Sequence, residues 1–252
     1  MYTRLDRIEF KFIIPLEKRD LIVSEVEKYT SYDEGAGGSS QYPIISQYYD
    51  NISRDSYWEK MRGQKSRRKL RIRVYGSDNG SIPPTTFIEV KHKHYGRGVK
   101  RRLMLPMEDA VNLVEKGGAH SIDVSGFSRS DRMVANEIIQ LVDERSFKFL
   151  NTMRYDRQAF VGGEDAPDLR ITFDTGIACR FEKHELKADD KCFEHYLLPS
   201  DQCVMEVKTN TVIPFWLREL IGSQSLVKRS FSKFCTALET HDPVVRETIN
   251  AM

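Results

Sequence analysis

The sequence predicts an α+β fold, an antiparallel sheet or barrel decorated with helices. Three observations carry this. Seven or eight segments alternate polar and apolar side chains with the two-residue period of a strand. Helical periodicity gathers between and after those segments instead of following each strand in turn, as it would in a parallel α/β fold. The polar positions are mostly basic, as in Lys69-Leu-Arg71-Ile-Arg73-Val-Tyr75, so each strand offers one face to a core and one crowded with charge. No Pro/Gly/Ser-rich linker splits the 252 residues, which are read as one domain, 1–252.

The elements follow in order. Residues 5–13 alternate, with Arg7, Glu9 and Lys11 on one face and Ile8, Phe10 and Phe12 on the other. Pro15 and Leu16 open a helix to about Tyr29, its apolar stripe formed by Leu16, Leu21, Ile22, Val26 and Tyr29. A glycine-rich loop spans 33–40, and a strand runs from Tyr42 to Tyr49, ending at Asp50-Asn51. A short helix at 54–62 and a basic loop at 63–68 precede strands at 69–75 and 86–94, which flank a Gly/Pro-rich turn from Gly76 to Pro84. After Tyr95-Gly-Arg-Gly98 comes a strand at 99–105, then helices at 106–117 and 130–146, separated by breaks at Gly117-Gly118 and Gly126. Strands resume at 147–161, 168–175 and 202–209, with a charged insertion at 180–199. Helices at 212–222, opened by Pro214, and at 230–240 complete the pattern.

Charged residues make up 30% of the chain, yet the formal charge is only +2, which excludes a globally basic nucleic-acid binder. Cys179, Cys192, Cys203 and Cys235 show no CxxC or Cys/His zinc spacing and read as free thiols of a reducing cytoplasm. No apolar run approaches the roughly 18 residues of a membrane span, and Met1–Arg7 lacks an apolar signal core. The expectation is a cytoplasmic protein without membrane insertion.

What matters is where the bases sit. The polar strand faces, with Lys233 from the last helix, gather Arg7, Lys11, Lys69, Arg71, Arg73, Lys91, Lys93, Lys100, Arg102, Arg157, Arg170, Lys208 and Lys233. Against them stand only Glu9, Glu89, Asp174 and Glu206. For one strand, a solvated face is the ordinary account. Side by side, so many like charges repel across neighbouring strands, and the excess implies a polyanion that neutralises it. Closing the sheet would focus the field further. Glu9, Glu89 and Glu206 each precede a lysine by two residues on the same face. A few carboxylates among many bases suit Mg²⁺ or Mn²⁺ shared with phosphate oxygens. Arginine's fork suits two phosphate oxygens at once, whereas lysine acts as a point charge. There is no Gly-x-x-x-x-Gly-Lys-Ser/Thr loop, no GxGxxG after a strand, no kinase set, and no Ser/His/Asp or Cys/His arrangement. The six histidines lack metal spacing, and the interleaved Tyr and Phe residues alternate mostly onto the apolar faces, where they serve a core.

Taken together these segments resemble the polyphosphate polymerase (VTC) domain of the triphosphate tunnel metalloenzyme superfamily. Arg7-Ile-Glu9-Phe-Lys11 resembles the first strand, where the wider superfamily carries Glu-x-Glu-x-Lys. Arg7 in place of the first glutamate is typical of the VTC branch and removes one metal ligand. Tyr48-Tyr49-Asp50-Asn51, Lys69 to Gly76, Phe87-Ile-Glu89-Val-Lys91 and Lys100-Arg-Arg102 are similar to the strands that follow. Arg154-Tyr155-Asp-Arg157-Gln-Ala-Phe160, Leu169-Arg170-Ile-Thr-Phe-Asp174, Val204-Met-Glu206-Val-Lys208 and Ser230-Phe-Ser232-Lys233-Phe234 resemble the second half. Each motif alone is weak; their order along nearly the whole chain is specific.

The resemblance implies a closed tunnel of eight antiparallel strands with helices packed outside. It also implies synthesis of inorganic polyphosphate from the γ-phosphate of ATP with Mn²⁺ or Mg²⁺, nucleotide entering one mouth and product leaving by the other. Glu206 is implied as the metal carboxylate, helped by Glu9 or Glu89. Lys11, Arg71, Arg73, Lys91, Lys100, Arg157, Arg170, Lys208 and Lys233 are implied as catalytic phosphate clamps, and Arg7, Lys69, Lys93, Arg102, Arg154 and Ser232 as further substrate contacts. Fungal members join this domain to a phosphate-sensing SPX domain and membrane helices. Neither pattern is read here, so a stand-alone prokaryotic-type domain is expected, with any membrane partner unidentified. Other superfamily branches hydrolyse triphosphates, a reading that Arg7 disfavours, and a non-catalytic polyphosphate-binding module is the alternative from a different class.

Overall fold

The computed structural model describes residues 8–33, 40–76, 85–95, 97–117, 122–187, 190–210 and 212–251. Arg7, the 34–39 part of the first loop and the 77–84 part of the Gly/Pro turn lie outside the described residues. In chain order the elements are β1 (Ile8–Pro15), α1 (Leu16–Val26), β2 (Thr30–Tyr32), β3 (Tyr42–Asp50), α2 (Asp55–Met61), β4 (Ser66–Tyr75), β5 (Thr85–His94) and β6 (Arg97–Pro106). Then come α3 (Met107–Lys116), α4 (Arg129–Asp143), β7 (Lys148–Gly162), β8 (Arg170–Arg180), β9 (His195–Tyr196), β10 (Gln202–Thr209), α5 (Phe215–Ser223), α6 (Lys233–His241) and α7 (Pro243–Asn250).

The α+β class is as expected. One antiparallel sheet runs β1-β10-β8-β7-β3-β4-β5-β6, with β2 added on β7 and β9 on β8. The closed eight-stranded barrel is corrected: among the described residues the sheet has ten strands and is open, ending at β1 on one side and β6 on the other. The physical reason lies at the β1 edge. Lys228 bridges to Phe12, and the Arg229 amide donates to the Lys11 carbonyl at 2.8 Å, so the segment leading to α6 covers the edge that closure would give to β6.

Alternation sorts the side chains onto two faces. Leu70, Ile72 and Val74 of β4, Ile88 and Val90 of β5 and Leu103 and Leu105 of β6 face outward under α3 and α4. Phe12 and Ile14 of β1, Ile171 and Phe173 of β8 and Met205 and Val207 of β10 do the same under α1 and α5. Burial of these stripes is the main stabilising contribution. The concave face carries the charge, except where Tyr42, Ile44 and Tyr48 of β3 and Met153 and Tyr155 of β7 meet Phe231 and Phe234, Cys235 and Leu238 of α6. Helices were expected outside only; α6 instead packs against the inward-facing side chains.

Smaller differences have local causes. α1 stops at Val26, and Leu21 and Tyr29 of the expected stripe are exposed, leaving Ile22 and Val26 buried. The basic loop shortens because β4 begins at Ser66, pairing with His94. α7 was not anticipated, although Asp242 caps the Val245 amide and Pro243 opens the first turn.

Candidate active site

The concave face encloses a cavity of about 620 Å³. β4 contributes Arg67, Lys69, Arg71 and Arg73 from four successive same-face positions, and β5 contributes Lys91 and Lys93. Glu9 and Lys11 come from β1, Glu206 and Lys208 from β10, and Tyr155 and Arg157 from β7. Tyr48, Lys60 of α2, the 228–232 segment and Lys233 and Phe234 of α6 complete the wall. Among the described residues, thirteen basic side chains therefore face two carboxylates.

The β1–β10 register sets those two carboxylates diagonally: Lys11 stands opposite Glu206, and Glu9 opposite Lys208. Each acid pairs along its own strand, Glu9 with Lys11 at 3.0 Å and Glu206 with Lys208 at 2.5 Å. Lys11 Nζ also donates to the Phe231 carbonyl at 3.1 Å. Burial pushes the Glu206 carboxyl up, but Lys208, Lys11 and Lys233 more than offset this and hold it well below the usual carboxylate range. Burial pushes Lys11 down, and Glu206 and Glu9 bring it above its usual value.

Two fully buried acids stand behind the wall. Asp174 of β8 accepts from Arg157 Nε at 2.6 Å and Nη2 at 2.7 Å, and from Lys233 at 2.5 Å. Burial raises its carboxyl, yet Arg157 and Lys233 bring it down to about 2. Glu89 of β5 lies in register with Arg71 on one side and Arg102 on the other, and bonds to both. It too is held far below the carboxylate range, burial being outweighed by Arg71, Arg73, Lys100 and Arg102. Arg73, itself buried, donates to Ser46 Oγ at 3.0 Å and Tyr155 Oη at 3.1 Å.

The remaining cations show what crowding does. Burial drives Lys69 down; its Nζ sits 3.9 Å above the Phe234 ring and 3.5 Å from Cys235 Sγ. Lys91 falls to about 8: burial lowers it, Glu9 opposes, and Lys11, Lys208 and Arg71 add to the fall. Burial raises the Tyr48 phenol, but Arg71 and Arg73 bring it to about 8.

Of the expected site residues, Lys11, Lys69, Arg71, Arg73, Lys91, Lys93, Arg157, Lys208, Ser232, Lys233, Glu9 and Glu206 line this cavity. Five do not. Arg102 turns to Glu89, and Lys100 lies 3.5 Å from the same carboxylate. Arg170 pairs with Asp33 at 2.7 Å. Arg154 faces the outer side beside a bulge and forks onto Asp156. Glu89 is 1% exposed and sits behind Arg71. Tyr48, Tyr155, Lys60, Arg67, Lys228 and Arg229 line the cavity without having been expected. The signal for Tyr155 was there, two residues ahead of Arg157 on one face. Lys60, Lys228 and Arg229 come from a helix and an irregular segment, where no period announces them.

No group of three or more His, Cys, Asp or Glu side chains is placed to hold a metal ion among the described residues. Glu9 and Glu206 are the two carboxylates of the wall, a donor set that fits a hard divalent cation taking its other oxygens from phosphate and water. The four cysteines are free. Among the described residues, no helix is long and apolar enough to cross a membrane.

A curled antiparallel sheet with cations gathered on its concave face makes an α+β fold with a strongly cationic cavity. The chain belongs to the VTC domain family, whose model matches residues 6–241. A solved structure of a candidate adenylate cyclase from Bacillus halodurans is similar, with a TM-score of 0.51 and 11% identity over 90% of this chain and 93% of that one. At that identity the likeness shows the fold alone. No curated protein matches the chain.

Proposed function

We propose that the protein is a polyphosphate polymerase-like phosphotransferase that extends inorganic polyphosphate from the γ-phosphate of ATP. The observation that carries this is the cavity wall, with thirteen bases against two carboxylates. Arg71, Arg73, Arg157, Lys11, Lys208 and Lys233 clamp the phosphates of donor and acceptor. The terminal oxygen of the acceptor chain attacks the γ-phosphorus, and the bond to the β,γ-bridging oxygen breaks. ADP leaves with that electron pair. The attacking oxygen is already anionic, so no general base is required, in keeping with a wall that has no histidine among the described residues. Positioning and charge stabilisation do most of the work in such transfers. Glu206 and Glu9 would hold Mn²⁺ or Mg²⁺, which when bound supplies charge neutralisation on the phosphate oxygens. An ATP-dependent role of this kind belongs in the cytoplasm.

Incubation with ATP and Mn²⁺ tests the reading. Long-chain polyphosphate with stoichiometric ADP is the expected product. Free phosphate alone would replace the polymerase with a triphosphatase, and tight polyphosphate binding without turnover would replace it with a binding module.

A further inference from the structure

Glu89 looks in the sequence like a third metal carboxylate, but its surroundings in the fold argue for a different task. Its Oε2 accepts from Arg71 Nε at 2.8 Å and Nη2 at 2.5 Å. Its Oε1 accepts from Arg102 Nε at 3.0 Å and Nη2 at 2.6 Å, with Lys100 Nζ at 3.5 Å. Both oxygens are committed to cations, and the carboxylate does not line the cavity. From the other side Arg71 Nη1 donates to Tyr48 Oη at 2.9 Å, and Tyr48 does line it.

A guanidinium carries five N–H donors. Three of Arg71's are committed to Glu89 and Tyr48, which leaves one on each terminal nitrogen. Those two are left to donate to phosphate oxygens. An arginine pinned this way has lost its rotamer freedom during folding and loses little more on binding.

We propose that Glu89 and Tyr48 are positioning residues that hold Arg71 end-on to a phosphate of the bound polyanion, and that Glu89 is not a metal ligand. The proposal rests on the cavity being a polyphosphate site.

Calorimetric binding of inorganic tripolyphosphate to the full chain, in EDTA and again in Mn²⁺, tests it. Charge and orientation predict opposite signs. Glu89→Gln removes a negative charge beside the cavity, which by field strength alone tightens polyanion binding. Loss of orientation weakens it, and the expected result is a weakening of about ten-fold, with the same factor in EDTA and in Mn²⁺. Tyr48→Phe keeps the ring and weakens binding about three-fold. In an Arg71→Ala background Tyr48→Phe has no further effect and Glu89→Gln no longer weakens binding, a coupling that general structural damage would not produce. Unchanged or tighter binding by Glu89→Gln in EDTA, or a loss seen only with Mn²⁺, overturns the proposal. Should Glu89→Gln not fold, Tyr48→Phe decides alone: unchanged binding overturns, coupled loss supports. A wild-type chain that binds no tripolyphosphate overturns the functional reading and this proposal with it, whereas intact wild-type binding confines any failure to Glu89 and Tyr48.

Discussion

Lys91 shows what gathering cations on one face does to a single ammonium group. Burial pushes its ammonium group down, Glu9 opposes, and Lys11 and Lys208 add, leaving it at about 8. Bound phosphates would hold its proton on, so binding takes up a proton near that pH. Tripolyphosphate affinity should therefore fall from about pH 7 to about pH 9.5, and Lys91→Arg should remove that part of the fall. The sign for stability runs the other way. The folded value lies below the usual lysine value of 10.5, so between the two the unfolded chain binds more protons. Lys91's contribution to the ligand-free fold is therefore present above 10.5 and lost as pH falls through about 8. Titrating affinity and melting temperature together checks both signs. Glu206 gives a second sign test. Glu206→Gln removes one of two wall carboxylates. In EDTA it should tighten tripolyphosphate binding a few-fold; in Mn²⁺ it should weaken binding and abolish synthesis. Equal behaviour in both conditions would remove Glu206 from the metal site. The sequence could not separate Glu206 from Glu89, since each precedes a lysine by two on a polar face. What separates them is cross-strand register: Glu89 falls between Arg71 and Arg102, and Glu206 between Lys11 and Thr172. Register joins residues distant in the chain, and local alternation holds no record of it.

The strands were legible because a half-buried strand writes its period directly into the chain. β3, β5 and β10 fall within a residue of their expected bounds for this reason. The 228–232 segment was opaque, because its backbone is positioned by the β1 edge and by no pattern of its own. α6 shows how such a segment becomes functional. Ser232 Oγ accepts from the Cys235 amide and caps the helix, which sets Lys233 at its first position, beside Asp174. Ser232 also lines the cavity. The two roles separate by substitution. Ser232→Ala should cost about 1 kcal/mol of stability through the lost cap. Ser232→Asp keeps a cap and should hold the melting temperature, yet places a negative charge in the wall and should weaken tripolyphosphate binding about ten-fold. If Ser232→Asp binds like wild type, Ser232 is a cap and nothing more.

The chain's formal charge is +2, yet its cavity wall alone carries eleven more bases than acids. The outer surface must therefore be net acidic, and the cations are collected on the concave face rather than spread. Two kinds of charge interaction coexist and respond differently to salt. In Arg157–Asp174 and Arg71–Glu89 the acid is buried behind the wall, so these pairs are screened weakly; a phosphate chain on the wetted face is screened strongly. Raising salt from about 50 to about 200 mM should therefore weaken tripolyphosphate binding ten-fold or more while shifting the ligand-free melting temperature by no more than about 2 °C. Saturating tripolyphosphate at low salt should raise that temperature, since a ligand bound only by the folded chain stabilises it by mass action and here also relieves repulsion among the cations. A melting temperature that dropped in step with the affinity would mean that the wall's cations hold the fold together rather than hold a ligand.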